Sequence, residues 1–148
     1  MRGFTLAELL LLIVVLAIGL VGILLLFNTV VVGSPEPMVR KQAMAAAESM
    51  MEEILLQPFA VTGAALPPTQ ANRQNFDDVR DYNGFSTTGI HAIDGVAPLP
   101  GLGNYNLSVS VALAALGSIP AADSLRVTIT VTGPLVNYVL EGYKLSYP

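Results

Sequence analysis

The side chains able to do acid–base, nucleophilic or metal chemistry are few in this chain. It has 148 residues, no cysteine and a single histidine, His91, which is favoured as a surface or hydrogen-bonded histidine. The missing cysteine excludes a thiol nucleophile, a disulfide framework and a thiolate-ligated metal site. Adjacent acids occur at Glu52-Glu53 and Asp77-Asp78, where solvated charge is an adequate explanation. No set of nucleophile, base and orienting group emerges, so we expect no enzymatic activity.

A short acidic segment gives the one metal hypothesis. Asp77, Asp78 and Asp81 lie close enough in sequence to offer oxygen ligands to Ca²⁺, although their spacing is not that of an EF-hand loop. The competing interpretation is that Asp77 and Asp81 cap turns and pair with Arg73 or Arg80. Calcium is therefore a weak possibility at this loop, and no other cofactor is expected.

One acid, Glu8, stands at the edge of a long apolar run. Nineteen residues from Leu9 to Phe27 have no charged or polar side chain. As a helix they extend roughly 28 Å, close to a bilayer core of about 30 Å. A cleaved secretory signal has a shorter apolar core and a small-x-small cleavage site, which Val32-Gly33-Ser34 matches poorly. The run predicts a membrane-spanning helix, in which Glu8 either reaches the lipid headgroups or serves another purpose.

The residues around Glu8 form a specific motif. Gly3-Phe4-Thr5-Leu6-Ala7-Glu8 before a long apolar helix resembles the class III signal of type IV pilins and of the pseudopilins of type II secretion. The resemblance implies that a prepilin peptidase cuts between Gly3 and Phe4 and methylates the new amino group of Phe4. It also implies a role in filament assembly for Glu8, whose carboxylate would pair with the Phe4 ammonium of an adjacent subunit.

The same resemblance implies a division of the chain. Residues 1–3 would be the leader, residues 4–32 the transmembrane and filament-core helix, and residues 33–148 the periplasmic pilin globular domain. The protein would cross the inner membrane once, with its C-terminal domain in the periplasm, before entering a pilus or pseudopilus filament. Its partners would be other pilin subunits, major and minor, the prepilin peptidase and the inner membrane. A formal net charge of -4 argues against nucleic acid as a partner.

Residues 33–57 predict a hinge and a second helix. Gly33-Ser34-Pro35 suits the end of one helix and the start of another. The helix is predicted over 38–57, before Pro58, and its methionines are favoured as core filler. Apolar residues at steps of three and four predict one buried face made of Val39, Ala43, Ala46, Met50 and Ile54.

The rest of the domain predicts a loop followed by a sheet. Residues 58–103, rich in Gly and Pro, predict an αβ loop, and residues 104–147 predict antiparallel strands. Alternation predicts inward-facing side chains at Tyr105, Leu107, Val109, Val111, Leu113, Leu125, Val127, Ile129 and Val131. In the last strand, Val136 to Tyr147, the pair Val139-Leu140 interrupts the alternation and suggests a bulge or a two-sided position.

These elements give an α+β fold class. The layout is similar to the type IV pilin fold, in which a long N-terminal membrane-spanning helix packs on a small antiparallel β-sheet. Several short segments look like the MshD-type minor pilin of mannose-sensitive haemagglutinin pili. They are Ala47-Glu48 with Glu52-Glu53-Ile54-Leu55, Phe76-Asp77-Asp78-Val79 with Asp81-Tyr82-Asn83-Gly84, and Gly142-Tyr143 with Tyr147.

The function implied by this likeness is structural. The chain would be a minor pilin of a type IV pilus-like filament that aids filament initiation or forms the tip. One alternative is a pseudopilin of a type II secretion system. Another is a tip adhesin whose loop, with Tyr82, Phe85 and the Asp cluster, contacts a surface glycan or a metal.

Overall fold

The computed structural model describes residues 5–32, 35–60 and 65–146. They belong to two compact units, Met1–Met38 and Val39–Pro148. The predicted hinge at Gly33-Ser34 lies outside the described residues, as do Gly3, Phe4 and Tyr147. The last strand ends at Leu145, before the predicted end at Tyr147.

The first helix, α1, spans Leu6–Val32. Leucine, a strong helix former, is the most frequent residue in this helix, and Thr5 precedes the helix at a position where a hydroxyl favours helix initiation. The stretch Leu6–Leu24 is long and apolar enough to cross a membrane, and none of it is buried within the protein. Because unburied leucine and isoleucine side chains are costly in water, this helix fits membrane anchoring.

The second helix, α2, spans Pro35–Leu56 and so begins three residues before the predicted start. Its first residue suits the first helical turn because proline has no N–H to leave unpaired there. The buried face of α2 consists of Ala43, Ala47, Met50, Met51 and Ile54. The prediction that the methionines fill the core is correct for these two and wrong for Met38 and Met44, which are 64% and 42% exposed.

The sheet has four antiparallel strands in sequential order, one more than predicted. They are β1 (Ser86–Thr88), β2 (Asn106–Leu113), β3 (Ser124–Gly133) and β4 (Val136–Leu145). The extra strand, β1, lies inside the predicted αβ loop and pairs with the start of β2. Its three residues are too few to show a period of two, which explains why the pattern missed it.

Alternation predicted the inner face of the sheet well, with two exceptions. Leu113 is 63% exposed, because β2 leaves the core at its last residues. The bulge suggested at Val139-Leu140 is absent, since β3 and β4 pair without interruption from Ser124↔Leu145 to Gly133↔Val136. Val139 is exposed while Leu140 packs against the core, so the strand keeps its period of two.

Helix α2 packs on this sheet, and three contacts show where. A Cβ atom placed on Gly142 of β4 would lie 2.7 Å from the Met51 sulfur, so the helix closely approaches that strand. The Lys144 ammonium donates a hydrogen bond of 2.9 Å to the Leu55 carbonyl in the last turn of α2, where free carbonyls favour a cation. The Tyr105 hydroxyl donates to Gln42 at 2.7 Å. The unit from Val39 onward is therefore α+β.

Candidate functional site

The start of α1 contains a reciprocal cap. The Thr5 backbone N–H and hydroxyl both donate to Glu8 Oε2 at 3.0 Å. In return, the Glu8 N–H donates to the Thr5 hydroxyl oxygen at 3.4 Å. This is the capping-box arrangement, in which an N-cap threonine and a glutamate three positions later satisfy each other's backbone donors.

The cap gives Glu8 a local task that the sequence interpretation did not include. The pattern Thr-x-x-Glu before an apolar run was a sufficient signal for it. One carboxylate oxygen is held at the first turn of the helix, so Glu8 faces the chain end rather than the apolar run. Gly3 and Phe4 lie outside the described residues, so cleavage and methylation at these positions stay predictions.

In the second unit, a buried ion pair links α2 to the αβ loop. Arg73 donates from Nε to Glu53 Oε1 at 2.9 Å and from its terminal nitrogen to Oε2 at 2.6 Å. The side chains are only 7% and 19% exposed. Arg73 also donates to the His91 carbonyl at 3.0 Å, and the Tyr82 hydroxyl donates to Glu53 at 3.0 Å. We refer to Glu53, Arg73 and Tyr82 as the Arg73 cluster.

The Arg73 cluster corrects the expectation that Glu53 is solvated charge. Its carboxylate accepts three hydrogen bonds from residues 20 and 29 positions away. The pKa of Tyr82 is raised well above its ordinary value, first by burial and then by the charge of Glu53. The tyrosine hydroxyl, the carboxylate and the guanidinium satisfy each other's hydrogen bonds here. This arrangement favours a structural role, in which the cluster holds the αβ loop against α2.

The acidic segment is also used internally. Asp78, which is 2% exposed, accepts from the backbone N–H groups of Arg80 and Asp81 and from the Arg80 guanidinium. The hydrogen bond that the Arg80 guanidinium donates to Asp78 raises the pKa of Arg80. Asp81 accepts from the N–H groups of Leu66 and Asp77 at 2.6 and 3.1 Å. Asp81 thus satisfies backbone donors, as expected of a turn cap. The residue that caps the short helix Val79–Tyr82 and pairs with Arg80 is Asp78, not Asp77 or Asp81, and Asp77 is exposed.

These bonds occupy carboxylate oxygens that a calcium ion would need. Within residues 5–32, 35–60 and 65–146, no group of three or more His, Cys, Asp or Glu side chains is placed to hold a metal. Calcium binding at Asp77, Asp78 and Asp81 stays a prediction.

The two aromatic residues assigned to the adhesin alternative do not lie at the surface. Tyr82 and Phe85 are fully buried and contact Phe76 edge-on, with ring centroids 4.8 and 6.1 Å away. Asp78 and Asp81 are buried as well, so this part of the loop is core rather than contact surface. The sequence did not reveal that these residues are buried, because aromatic and acidic residues in a Gly-rich segment are typical both of binding loops and of loops that pack into the core.

An open cleft of about 610 Å³ lies beside the Arg73 cluster. Small side chains of α2, including Ala45 and Ser49, form one wall, and Ile93, Leu99 and Pro100 form the other. His91 borders it, with Nε2 3.1 Å from the Thr88 carbonyl. Its buried Nδ1 has no hydrogen-bond partner among the residues described. The expected hydrogen-bonded histidine is thus present.

No family model, curated protein or solved structure matches the chain. The function is therefore best inferred from the start of α1 and from the α+β unit.

Proposed function

We propose that this protein is a minor pilin of a type IV pilus-like filament, anchored in the inner membrane by α1 and processed at Gly3-Phe4. The observation that supports this most is the start of α1. An acid at the head of an otherwise apolar, unburied helix is held in place by Thr5, immediately after the sequence that resembles a prepilin cleavage site.

Cleavage between Gly3 and Phe4 would create a positive charge beside this cap. Phe4 would then carry a free or methylated ammonium one residue before Thr5. An ionised carboxylate surrounded by apolar side chains is strongly favoured when an opposite charge pairs with it. Both hydrogen bonds from Thr5 go to the same Glu8 oxygen, Oε2. The other carboxylate oxygen, Oε1, can therefore accept a hydrogen bond from the ammonium of a neighbouring subunit while Glu8 caps its own helix.

The second unit supports the same proposal. A helix packed on a small antiparallel sheet with its own core suits a subunit surrounded by others. A pseudopilin of a secretion system would use the same α1 and the same packing. The two are distinguished by phenotype, because loss of a pseudopilin stops protein secretion whereas loss of a minor pilin reduces surface filaments.

The test is the fate of Glu8→Leu in cells that have the filament system. The variant should insert in the membrane and be cut at Gly3 normally, because leucine is apolar and the cleavage site is unchanged. It should be depleted from sheared filaments relative to the inner-membrane fraction. Glu48→Leu, which removes an exposed acid from α2, is the matched control and should reach filaments normally.

Intact mass and N-terminal sequencing of the membrane-extracted protein give the second measurement. The mature chain should begin at Phe4 and carry one added methyl group. A mature start after Val32 or Gly33 would instead identify an ordinary secreted domain. Glu8→Leu protein at the wild-type level in filaments would show that Glu8 only caps its helix.

A further inference from the structure

The outer edge of strand β4 is an open hydrogen-bonding edge. Strand order places β1 and β4 at the two edges of the sheet, and they differ in length, with three and ten residues. Every residue of β4 pairs with β3 on one side. Among residues 5–32, 35–60 and 65–146, no strand pairs with its other side. A long, regular edge of this kind is a template for another strand.

The hydrogen bonds of β2 show which backbone groups face that edge. Val109 donates to the Phe85 carbonyl and accepts from the Gly84 N–H, so its backbone groups point toward β1. Because the direction alternates along antiparallel strands, the even-numbered residues of β4 face β3. The bond from the Ser146 N–H to the Asp123 carbonyl agrees with this phase. The residues whose N–H and C=O groups face outward are Asn137, Val139, Glu141, Tyr143 and Leu145.

Little along β4 blocks this edge. The strand has no proline and no bulge, and its ammonium group, on Lys144, is turned toward the Leu55 carbonyl. Val139, near the middle of the strand, is 52% exposed on the outer face of the sheet. We propose that β4 pairs antiparallel with β4 of a second copy of this chain, which joins the two sheets into one across a two-fold axis.

The side chains of β4 select the register of this pair. Both copies must keep the same face outward, so allowed registers differ by two residues. Leu140 opposite Leu140 of the second copy pairs the strand along nearly its whole length. If the second strand is shifted by two residues in one direction, Glu141 lies opposite Glu141, which is repulsive. If it is shifted in the other direction, Val139 lies opposite Val139 and fewer residues of β4 are paired.

In the selected register, no two like charges face each other. Val139 faces Glu141 of the second copy, and Asn137 faces Tyr143. On the inner face, Tyr138 faces Gly142, which has no side chain and is already covered by Met51 of its own chain. The two copies are related by symmetry, so every contact occurs twice. This pairing does not depend on the filament role proposed above, because it rests on β4 alone.

The experiment is light scattering with size exclusion on the full chain in detergent, over a range of concentrations. The wild type should show a monomer–dimer equilibrium. Val139→Glu places an acid opposite Glu141 twice and should weaken the dimer by about 2- to 30-fold. The double variant Val139→Glu with Glu141→Lys should restore it, because lysine then faces glutamate across the pair. Ser110→Glu, on the exposed outer face of β2, is the matched control and should leave the dimer unchanged.

A backbone variant separates edge pairing from association through α1. Val139→Pro removes an N–H that β3 does not use, so the sheet should persist, as judged by near-ultraviolet circular dichroism, while the dimer is lost. A wild type that stays monomeric at about 100 µM overturns the proposal. So does a dimer that Val139→Pro leaves intact. Failure of the double variant to restore the dimer overturns the register.

Discussion

Replacing Arg73 by methionine tests whether the Arg73 cluster holds the αβ loop against α2. The variant removes two hydrogen bonds of 2.9 and 2.6 Å from the Glu53 carboxylate and leaves that carboxylate with the Tyr82 hydroxyl. Methionine keeps the apolar stem of the side chain but removes the guanidinium. The contact of the guanidinium carbon with the Phe85 ring, 5.6 Å from its centre, and the hydrogen bond to the His91 carbonyl are lost with it. The loss is therefore mainly electrostatic.

The magnitude follows from burial. Removing one partner of a buried ion pair costs about 3–5 kcal/mol, because the other charge stays desolvated. The Glu53 side chain is 19% exposed and can regain some water, so about 2–4 kcal/mol is expected. For a unit of this size, this lowers the melting temperature by roughly 8–16 °C.

Thermal unfolding of the full chain in detergent is the assay, followed by near-ultraviolet circular dichroism. Four of the five tyrosines lie in the described part of the second unit, so their signal reports on that unit rather than on α1. The double variant Arg73→Met with Glu53→Gln should recover about 1–3 kcal/mol of the loss, because the amide is neutral and still accepts from Tyr82. Arg126→Met removes an exposed arginine from β3 and is the control.

Two results would refute this reasoning. A loss below about 1 kcal/mol in Arg73→Met would mean that the ion pair is solvated or replaceable. Equal instability of the single and double variants would mean that the unpaired Glu53 charge is not the cause. In that second case, the packing of the arginine stem would carry the effect.

Three further predictions concern the second unit. Tyr82→Phe should cost about 1–3 kcal/mol at neutral pH, and the difference from wild type should shrink above about pH 10. The difference shrinks because Tyr82 has a higher pKa in the folded than in the unfolded protein. Its contribution to stability is complete below the unfolded-state pKa and is lost as the pH rises toward the folded-state pKa. Denaturant unfolding at several pH values measures this. Gly89→Ala should destabilise more than Gly101→Ala in thermal unfolding, since both glycines have positive φ but only the Gly89 Cβ would meet the Pro98 ring, at 2.6 Å. A chain starting at Pro35 should fold without detergent, because every buried apolar side chain described lies between Ala43 and Val131; aggregation, or loss of the tyrosine signal in circular dichroism, would contradict this.

Local sequence pattern predicted much of the fold. Period-two alternation placed Leu107, Val109 and Val111 inward, and steps of three and four residues placed Ala43, Met50 and Ile54 on the buried face of α2. The apolar run predicted α1, and its Thr-x-x-Glu start contained the cap at Glu8, a contact between residues three positions apart. Such features can be predicted from sequence because side-chain direction repeats with the period of the helix or strand, and because short-range contacts depend only on residues nearby in the sequence.

The tertiary structure decided what joins distant segments. Glu53 accepts from Arg73, 20 residues away, and from Tyr82, 29 residues away, and no local pattern predicts which residues these partners are. The pairing of β1, the burial of Asp78 and the open edge of β4 likewise depend on the path of residues 58–103. That path is set by which polar groups find partners when the helix and sheet close on each other. The sequence shows that Asp, Glu, Arg and Tyr residues are present. Only the folded chain determines which of these side chains are buried next to each other.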